Sequence, residues 1–375
     1  MMAARRPNAK PRQPPRGVPM STERDNRMVW DRRKAGHYEV WYATFNHRPS
    51  QTGFWIRYTL ESPEAAPDTP YCQLWFAMFD AEDPRRNLAV NRRFSLDELE
   101  HRAEPFRLRL GPAQLSHTRL SGSLCTKGCR HEDARSDEDP TIPPVSWDLE
   151  LPPSAFTHHH LPDSAYRGNF ADTRVLSPNL LTHFTGTIHV GDRTFELEEE
   201  PGCQTHLWGR KHPHAWAWGH CNAFREEPTA GLELISFRLR RGPLVTPPLT
   251  LLSLYLGSEV YHFRDVWKLS LTRGAWETGL FRFGATGARV KVEGELRCRP
   301  QDLVRAAYVD PDGVAVFCHN TEVADASVRV FQRRSLLSTF KSYARLTARA
   351  SAHFEYAGRT PDGRVVDQHL AVGAR

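Results

Sequence analysis

Hydrophobic and polar residues alternate along most of this 375-residue chain with the period of two that β-strands produce. Short aromatic and aliphatic runs recur, for example at 53–61, 71–80 and 106–111, and Pro, Gly, Asp or Asn separates them. Turn sequences such as Gly191-Asp192 lie between such runs. This pattern is typical of an all-β sandwich or barrel.

Helix signals are few and short. Ser95 and Glu98 form a capping box that predicts a helix of about two turns. The strand runs divide near residue 200 into two sets of similar length, which suits two consecutive barrels or one very large sandwich. The alternation alone leaves both architectures open. We predict an all-β chain with few short helices, divided into residues 37–200 and 201–375.

The positive charge of the chain is concentrated at its N-terminus. The formal net charge is +6, but residues 1–36 carry ten basic and three acidic side chains, so the rest is close to neutral. A basic nucleic-acid-binding surface is therefore not indicated. Because residues 1–36 are rich in Pro and Arg and lack an apolar run, we predict a disordered tail. A chain beginning at Met20 or Met28 is expected to keep the fold and any ligand binding.

The sequence contains no run of 18 apolar residues, so it predicts no transmembrane helix and leaves only peripheral membrane contact open. Seven cysteines without a recognisable export signal predict reduced thiols and a cytoplasmic location. The oligomeric state is not indicated.

The segment 202–224 is the most unusual stretch of the chain. It predicts a hairpin with its turn at 209–213, and period-two alternation collects large polar and aromatic side chains on one face of each strand. The opposite face of the second strand carries small residues that allow close packing. We predict that the large side chains line a ligand cavity; they are Gln204, His206, Trp208, Trp216, Trp218, His220 and Asn222.

Two carboxyl groups are candidates for proton transfer. Glu233 shares a predicted strand face with Ile235 and Phe237, where burial would raise its pKa. A structural ion pair with an arginine such as Arg238 or Arg282 is the alternative. Glu322, in the polar segment 317–328, is the second choice. A third polar segment covers 353–359.

Metal binding is a weaker alternative, and we predict no metal and no cofactor. Four histidines and a cysteine lie within 206–221, but their spacing fits no standard ligand set. Cys125, Cys129 and His131 form a comparably weak zinc candidate, and 158–160 reads as surface histidines. No nucleophile elbow, phosphate-binding loop or dinucleotide fingerprint is present.

These segments resemble a known family. The sequences at 38–46, 53–60 and 74–80, with the Gln-x-His-x-Trp-Gly and Trp-x-Trp-x-His-Cys-Asn elements of 202–224, are similar to lipocalin-like proteins related to carotenoid 1,2-hydratase (hydroxyneurosporene synthase), AttH-type proteins and, more remotely, tocopherol cyclase. The resemblance implies two tandem calycin barrels and a bulky apolar, often isoprenoid, ligand. It also places His206 and Trp208 in the His-x-Trp element of the group.

The resemblance further implies protonation of an alkene without a cofactor, followed by capture of the cation by water or a hydroxyl. We therefore expect an enzyme that hydrates, cyclises or isomerises a terpenoid-, carotenoid- or polyketide-like substrate, with Glu233 as the acid. His206 and Asn222 would orient water or a substrate oxygen. The alternative is a lipocalin-like carrier that binds a hydrophobic ligand without converting it.

Overall fold

The computed structural model of the protein describes residues 23–124, 143–167 and 171–365, together with the backbone of 369–372. Strands dominate, and they form two large sheets and one two-stranded ribbon. Each large sheet curls into a nearly closed barrel, which confirms the prediction of tandem, mainly antiparallel β-barrels. The Cys125, Cys129 and His131 group lies outside the described residues.

The first barrel is a 13-stranded sheet in which β1 pairs with β2 on one side and β12 on the other. Its strands are β1 (His37–His47), β2 (Thr52–Ser62), β3 (Tyr71–Asp80), β4 (Leu88–Ser95), β5 (Leu99–Ala103), β6 (Phe106–Leu110), β7 (Ala113–Ser116), β8 (Arg119–Leu124), β9 (Val145–Glu150), β10 (His158–His159), β11 (Thr173–Val190), β12 (Arg193–Gly209) and the terminal strand β25 (His369–Val372).

The second barrel is a 10-stranded sheet centred on one long hairpin, and a separate ribbon joins two of its strands. Its strands are β13 (Ala215–Cys221), β14 (Gly231–Arg238), β17 (Leu249–Leu256), β18 (Glu259–Phe263), β19 (Thr272–Glu277), β20 (Leu280–Thr286), β21 (Val290–Arg297), β22 (Val304–Val309), β23 (Ala315–Gln332) and β24 (Lys341–Gly358); the ribbon is β15 (Arg240–Arg241) and β16 (Leu244–Val245).

Helices are short. The α-helix α1 covers Asp163–Arg167, and single 3-10 turns cover Glu23–Asn26, Arg48–Ser50, Pro84–Arg86, Leu96–Glu98, Val266–Leu271 and Pro300–Asp302. The predicted capping box is present, because the Ser95 backbone N–H donates to Glu98 Oε2 at 3.0 Å. The helix nevertheless ends at Glu98 and β5 follows at once. No helix in the described part of the chain is long and apolar enough to cross a membrane.

Large side chains fill the interior of the first barrel. Trp41, Phe54, Phe76 and Trp147 come from four different strands and are all nearly fully buried. The rings of Phe76 and Trp147 stack with 5.8 Å between their centroids. Because each such side chain contributes about 2 to 3 kcal/mol when buried, the described interior is a packed core rather than a ligand pocket.

The other face of β1 is buried as well, against the second barrel. The rings of Tyr42 and Trp218 pack edge to face with 5.3 Å between their centroids. Trp75 on β3 and Tyr308 on β22 pack in the same way, with 5.7 Å between their centroids. The Asn46 amide donates to the backbone oxygen of Glu322 at 2.7 Å. The two barrels are therefore joined by a core of their own, and this explains why both faces of β1 are aromatic.

The border between the barrels differs from the predicted one. Residue 200 lies inside β12, which stays paired with β1 and β11 as far as Gly209. Strand β13 begins at Ala215 and pairs with β14 and β24. The hairpin predicted across 209–213 was therefore wrong, since this connection carries the chain from one barrel to the other. Strand β25 then returns to the first barrel and pairs with β4.

The described part of the predicted tail, residues 23–36, packs against the first barrel. Trp30 is 5% exposed, and its backbone N–H donates to Glu39 Oε2 at 2.9 Å. The backbone oxygen of Asn26 accepts a hydrogen bond from Trp41 Nε1 at 2.8 Å. The basic composition suggested disorder, but two apolar residues, Met28 and Trp30, give this segment an anchor on the barrel core.

Candidate active site at the barrel interface

A cavity of about 90 Å³ lies between the two barrels. Its walls come from the outward face of the first barrel and from β13, β14, β22 and β24 of the second. Most of the lining is aromatic or aliphatic, with a few charged and polar groups. The lining residues are Val40, Tyr42, Trp55, Arg57, His160, Thr173, Val175, Leu207, His212, Pro213, Trp216, Trp218, Ile235, Tyr308 and Glu355.

Strand β13 behaves as its alternation predicted. Trp216 and Trp218 line the cavity, whereas Ala217 and Cys221 on the opposite face pack into the core of the second barrel. Between these two, Gly219 leaves space for Leu296, because a Cβ at this position would lie only 2.3 Å from that side chain. The small residues on one face thus allow β13 to pack closely on the core of the second barrel, and the two tryptophans of the other face lie at the interface.

Glu233 is buried beside the cavity, but its surroundings do not suit a proton donor. Its Oε2 lies 2.9 Å from His220 Nδ1, its Oε1 lies 3.3 Å from His160 Nδ1, and Trp218 Nε1 donates to Oε1. Burial by itself would raise the pKa of this carboxyl, but the two imidazoles lower it to about 2. The expectation of a raised pKa was wrong, and so was the alternative of an arginine pair. His220 contacts Glu233 and does not line the cavity.

The histidines at 158–160 were expected at the surface, and two of them are buried. His158 and His160 are each 3% exposed, and β10 holds them against β11. His160 reaches both the cavity and Glu233, while its Nε2 lies 2.9 Å from Ser177 Oγ. The flanking prolines suggested a loop, and the sequence contains no signal that this loop folds inward.

Glu355 on β24 is the carboxyl group that lines the cavity. Trp216 Nε1 donates to its Oε1 at 2.6 Å, and its Oε2 lies 3.6 Å from Cys318 Sγ. Burial raises the pKa of Glu355 above its usual value, although the bond from Trp216 and the charge of Arg57 act in the opposite direction. Glu355 lies in the third polar segment of the sequence, but alternation along the strand could not single it out.

Glu322, the second candidate acid, lies behind the cavity in contact with His353. Its Oε1 is 2.7 Å from His353 Nδ1, and His353 Nε2 is 3.7 Å from Glu355 Oε2. Burial raises the pKa of Glu322 well above its usual value and lowers that of His353 to about 3. Burial thus favours the neutral form of both members of this pair, and His353 lies between the two carboxyl groups.

The set Gln204, His206 and Trp208 shares one strand face as predicted, but this face points into the first barrel. His206 pairs across the strands with Trp41 and stacks on its ring at 4.9 Å. Its Nε2 lies 2.9 Å from Glu39 Oε1, and its Nδ1 lies 2.8 Å from the backbone oxygen of Asp25. His206 thus holds the N-terminal segment and does not reach the cavity.

The other two polar candidates of this segment also bind protein groups. Gln204 Oε1 accepts a hydrogen bond from Asn179 at 2.6 Å. The Asn222 amide donates to the backbone oxygens of Thr182 and Gly202, at 3.2 and 2.9 Å. Gln204 therefore holds the Asn179 side chain, Asn222 holds the backbone of β11 and β12, and neither residue lines the cavity.

The described residues contain no group of three or more His, Cys, Asp and Glu side chains arranged to hold a metal ion. His212, one of the weak zinc candidates, instead bonds Asp310 Oδ1 at 2.6 Å and stacks on Tyr38 at 4.3 Å. Asp310 thus fixes the His212 side chain in the cavity wall. Arg359 also donates to Asp310, at 2.8 Å. The five described cysteines are free thiols.

Fold and site define a two-barrel β protein with an aromatic and acidic cavity between its barrels. The family model described as tocopherol cyclase-like matches residues 35–352, so the chain belongs to this family. The resemblance inferred from the sequence motifs is thereby confirmed. The family is named for a cyclase, which agrees with the expectation of an enzyme.

The chain is also similar to individual proteins, in sequence or in structure. An uncharacterised protein of Mycobacterium tuberculosis (strain H37Rv) is 25% identical over 324 residues, covering 81% of this chain and 85% of that protein. Among solved structures, a putative AttH from Nitrosomonas europaea has 12% identity and a TM-score of 0.48, covering 86% of this chain and 93% of that one. Kievitone hydratase from Nectria haematococca has 8% identity and a TM-score of 0.46, covering 92% and 94%. Likeness at this level says nothing about the reaction of this chain.

Proposed function

We propose that the protein is an enzyme that hydrates, cyclises or isomerises an apolar, unsaturated substrate by acid catalysis without a cofactor, in the cavity between the barrels. The observation that carries the proposal is Glu355, a cavity-lining carboxyl group whose pKa is raised by burial. A general acid must hold its proton at the working pH and release it to a reacting atom nearby. Glu355 lines the cavity and burial favours its protonated form, whereas the pKa of Glu233 is lowered to about 2.

In this mechanism Glu355 transfers its proton to one carbon of a double bond, and the other carbon becomes positively charged. Water, or a hydroxyl of the substrate, then donates an electron pair to that carbon and forms the new C–O bond. The oxygen releases a proton to the Glu355 carboxylate, which restores the acid. In an isomerisation, the carboxylate instead removes a proton from a neighbouring carbon. No electron is gained or lost in any of these steps.

Aromatic faces around the acid suit a reaction that passes through a cation. Trp55, Trp216, Trp218 and Tyr42 all line the cavity, and the faces of such rings attract positive charge. Trp216 also donates its N–H to Glu355 and so stabilises the carboxylate that remains after proton transfer. His353 lies between Glu322 and Glu355, with its Nδ1 2.7 Å from Glu322 Oε1.

The size of the cavity constrains how a substrate enters. A volume of about 90 Å³ equals that of roughly three water molecules, whereas pockets for larger ligands measure roughly 300 to 1,000 Å³. A bulky substrate therefore requires the walls to move apart. His212 and Pro213, in the connection between β12 and β13, are part of those walls and lie in a segment without regular structure.

A carrier of a hydrophobic ligand is the second candidate function, and the largely apolar lining favours it. The two functions differ in one measurable event, the formation of a C–H bond from a solvent proton. We suggest incubating the protein with a small-molecule extract of its source organism in D2O and screening for compounds that gain deuterium on carbon. Wild-type protein is expected to generate such a compound, and the Glu355→Gln variant is expected to lose at least 100-fold in rate.

Glu150→Gln, which changes an exposed carboxylate of β9, is the matched control and should retain full activity. Deuterium on carbon that forms equally fast with Glu355→Gln would refute Glu355 as the acid. If an apolar compound copurifies with the wild-type protein but no compound gains deuterium, the carrier function replaces the enzyme.

A further inference from the structure

Arg57 on β2 is a buried cation in the wall of the cavity. It is 4% exposed, and its Nε donates to no acceptor in the described part of the chain. The guanidinium carbon lies 4.0 Å from the centroid of the Tyr308 ring and 5.8 Å from that of Trp55. Arg57 thus rests on aromatic faces, while one of its hydrogen-bond donors is left unused.

A guanidinium is charged at every physiological pH, so its burial has to be compensated. Ring faces provide part of this compensation, but they cannot accept the directional hydrogen bonds that a guanidinium offers to oxygen. The partly buried Arg359 shows the usual compensation, because it donates to Asp310 and to the backbone oxygens of His212 and Pro213. Within the described residues, no ion pair of this kind is formed by Arg57.

The acidic side chains around Arg57 do not serve as its counter-ion. Glu61 lies on the same face of β2, four residues further on, and burial raises its pKa well above the usual value. Burial also raises the pKa of Glu355. Asp310 has a lowered pKa, but it is already paired with His212 and Arg359. Within the described residues none of these three carboxyl groups forms an ion pair with Arg57, so its guanidinium lines the cavity without a bound counter-ion.

We infer that the substrate of the interface cavity carries a carboxylate, which binds the guanidinium of Arg57. The inference rests on the proposed function for the location of the reaction, and it specifies the substrate class as an apolar, unsaturated carboxylic acid. The Nε–H and a neighbouring Nη–H form the planar fork that matches the two oxygens of a carboxylate. The hydrocarbon part of the acid lies against the aromatic lining.

The same charge balance favours the proposed chemistry. A cation that develops in a buried cavity next to an unpaired guanidinium is repelled, because charges interact strongly where water is excluded. A carboxylate bound to Arg57 neutralises this charge before the proton is transferred. Arg57 would thus select the substrate and at the same time permit the cationic intermediate to form.

Binding of simple carboxylic acids tests the inference without any turnover. Decanoate and 1-decanol share a ten-carbon chain and differ in the charged group, so titration calorimetry at pH 7.5, with tryptophan fluorescence as a second signal, isolates the contribution of the carboxylate. We expect decanoate to bind wild-type protein at least tenfold more tightly than decanol. Arg57→Gln should abolish this preference, Arg57→Lys should retain part of it, and Arg119→Gln, an exposed arginine of β8, should retain all of it.

Equal affinity for acid and alcohol in the wild-type protein would overturn the inference, as would no detectable binding of decanoate. A preference that persists in Arg57→Gln would overturn it too. If that variant does not fold, as judged by circular dichroism, the wild-type preference and its reduction in Arg57→Lys decide. Failure here leaves the deuterium test of Glu355 untouched, and absence of deuterium incorporation leaves the carboxylate preference untouched, so the two proposals fail separately.

Discussion

Removal of the residues before Met28 should weaken the first barrel markedly, although the composition of this segment suggests that it is dispensable. Four short contacts are among those that would be lost. The backbone oxygen of Asn26 accepts a hydrogen bond from Trp41 Nε1 at 2.8 Å. The backbone oxygen of Asp25 lies 2.8 Å from His206 Nδ1. The Glu23 carboxylate accepts from the Phe106 backbone N–H, and the Asp25 carboxylate accepts from Thr157, both at 2.5 Å.

The expected loss follows from which partners remain. Trp41 and His206 are fully buried, and a buried donor left without an acceptor costs about 1 to 3 kcal/mol. The two contacts to carboxylates are partly buried and add about 0.5 to 1.5 kcal/mol each. Because water can enter the opened end of the barrel, we take the lower part of this range, about 3 to 5 kcal/mol. For a protein of this size the melting temperature should fall by roughly 4 to 7 °C.

Differential scanning calorimetry on two shortened chains measures this difference. A chain that begins at Met20 retains all four contacts, whereas one that begins at Met28 retains none of them. The first should therefore melt several degrees above the second. Equal melting temperatures, within about 1 °C, would show that residues 23–27 contribute nothing and would refute the reasoning.

Three further predictions concern the interface. Because the pKa of Glu233 falls from 4.5 to about 2, its ionisation stabilises the fold above pH 4.5 and this contribution is lost as the pH falls towards 2. Urea denaturation of Glu233→Gln should thus show a loss of about 3 kcal/mol at pH 7 but little near pH 2. A raised pKa at Glu355 predicts deuterium incorporation that is constant at low pH and declines as the pH rises through that pKa; a rate that increases over this range would contradict it. Gly53→Ala would place its Cβ 2.2 Å from Glu322 Cβ and should cost about 1 to 3 kcal/mol, whereas Gly358→Ala meets nothing within 4 Å and should be neutral.

Strand alternation predicted the all-β class and the partition of side chains between strand faces, and the family resemblance added the barrels. Neither could decide which layer a strand face packs against. The faces of β13 were assigned correctly, and Trp216 and Trp218 do line a cavity. On β12 the same rule grouped His206 and Trp208 correctly, yet that face points into the first barrel. When both faces of a strand are buried, periodicity gives no indication of which one borders the site.

The choice of acid shows the same limit. A carboxylate on an apolar strand face suggests a raised pKa, but Glu233 meets His160 and His220 and remains ionised. These partners come from different barrels: His160 belongs to a loop of the first, more than 70 positions earlier in the chain. A pKa depends on charges within a few ångströms, and only the packing of the two barrels brings those charges together.

The sequence alone therefore determined the class of fold, the doubling of the barrel and the family, because strand period and short motifs are local properties of the chain. It also placed Trp216 and Trp218 on one strand face, but it missed Trp55 and wrongly added Trp208 to the cavity. Only the tertiary structure decided that the cavity lies between the barrels and that Glu355 rather than Glu233 is the candidate proton donor. It also decided that Arg57 has no counter-ion among the residues that the structure describes. These properties arise where strands from both halves of the chain meet, because the burial and the neighbours of each group there set its pKa.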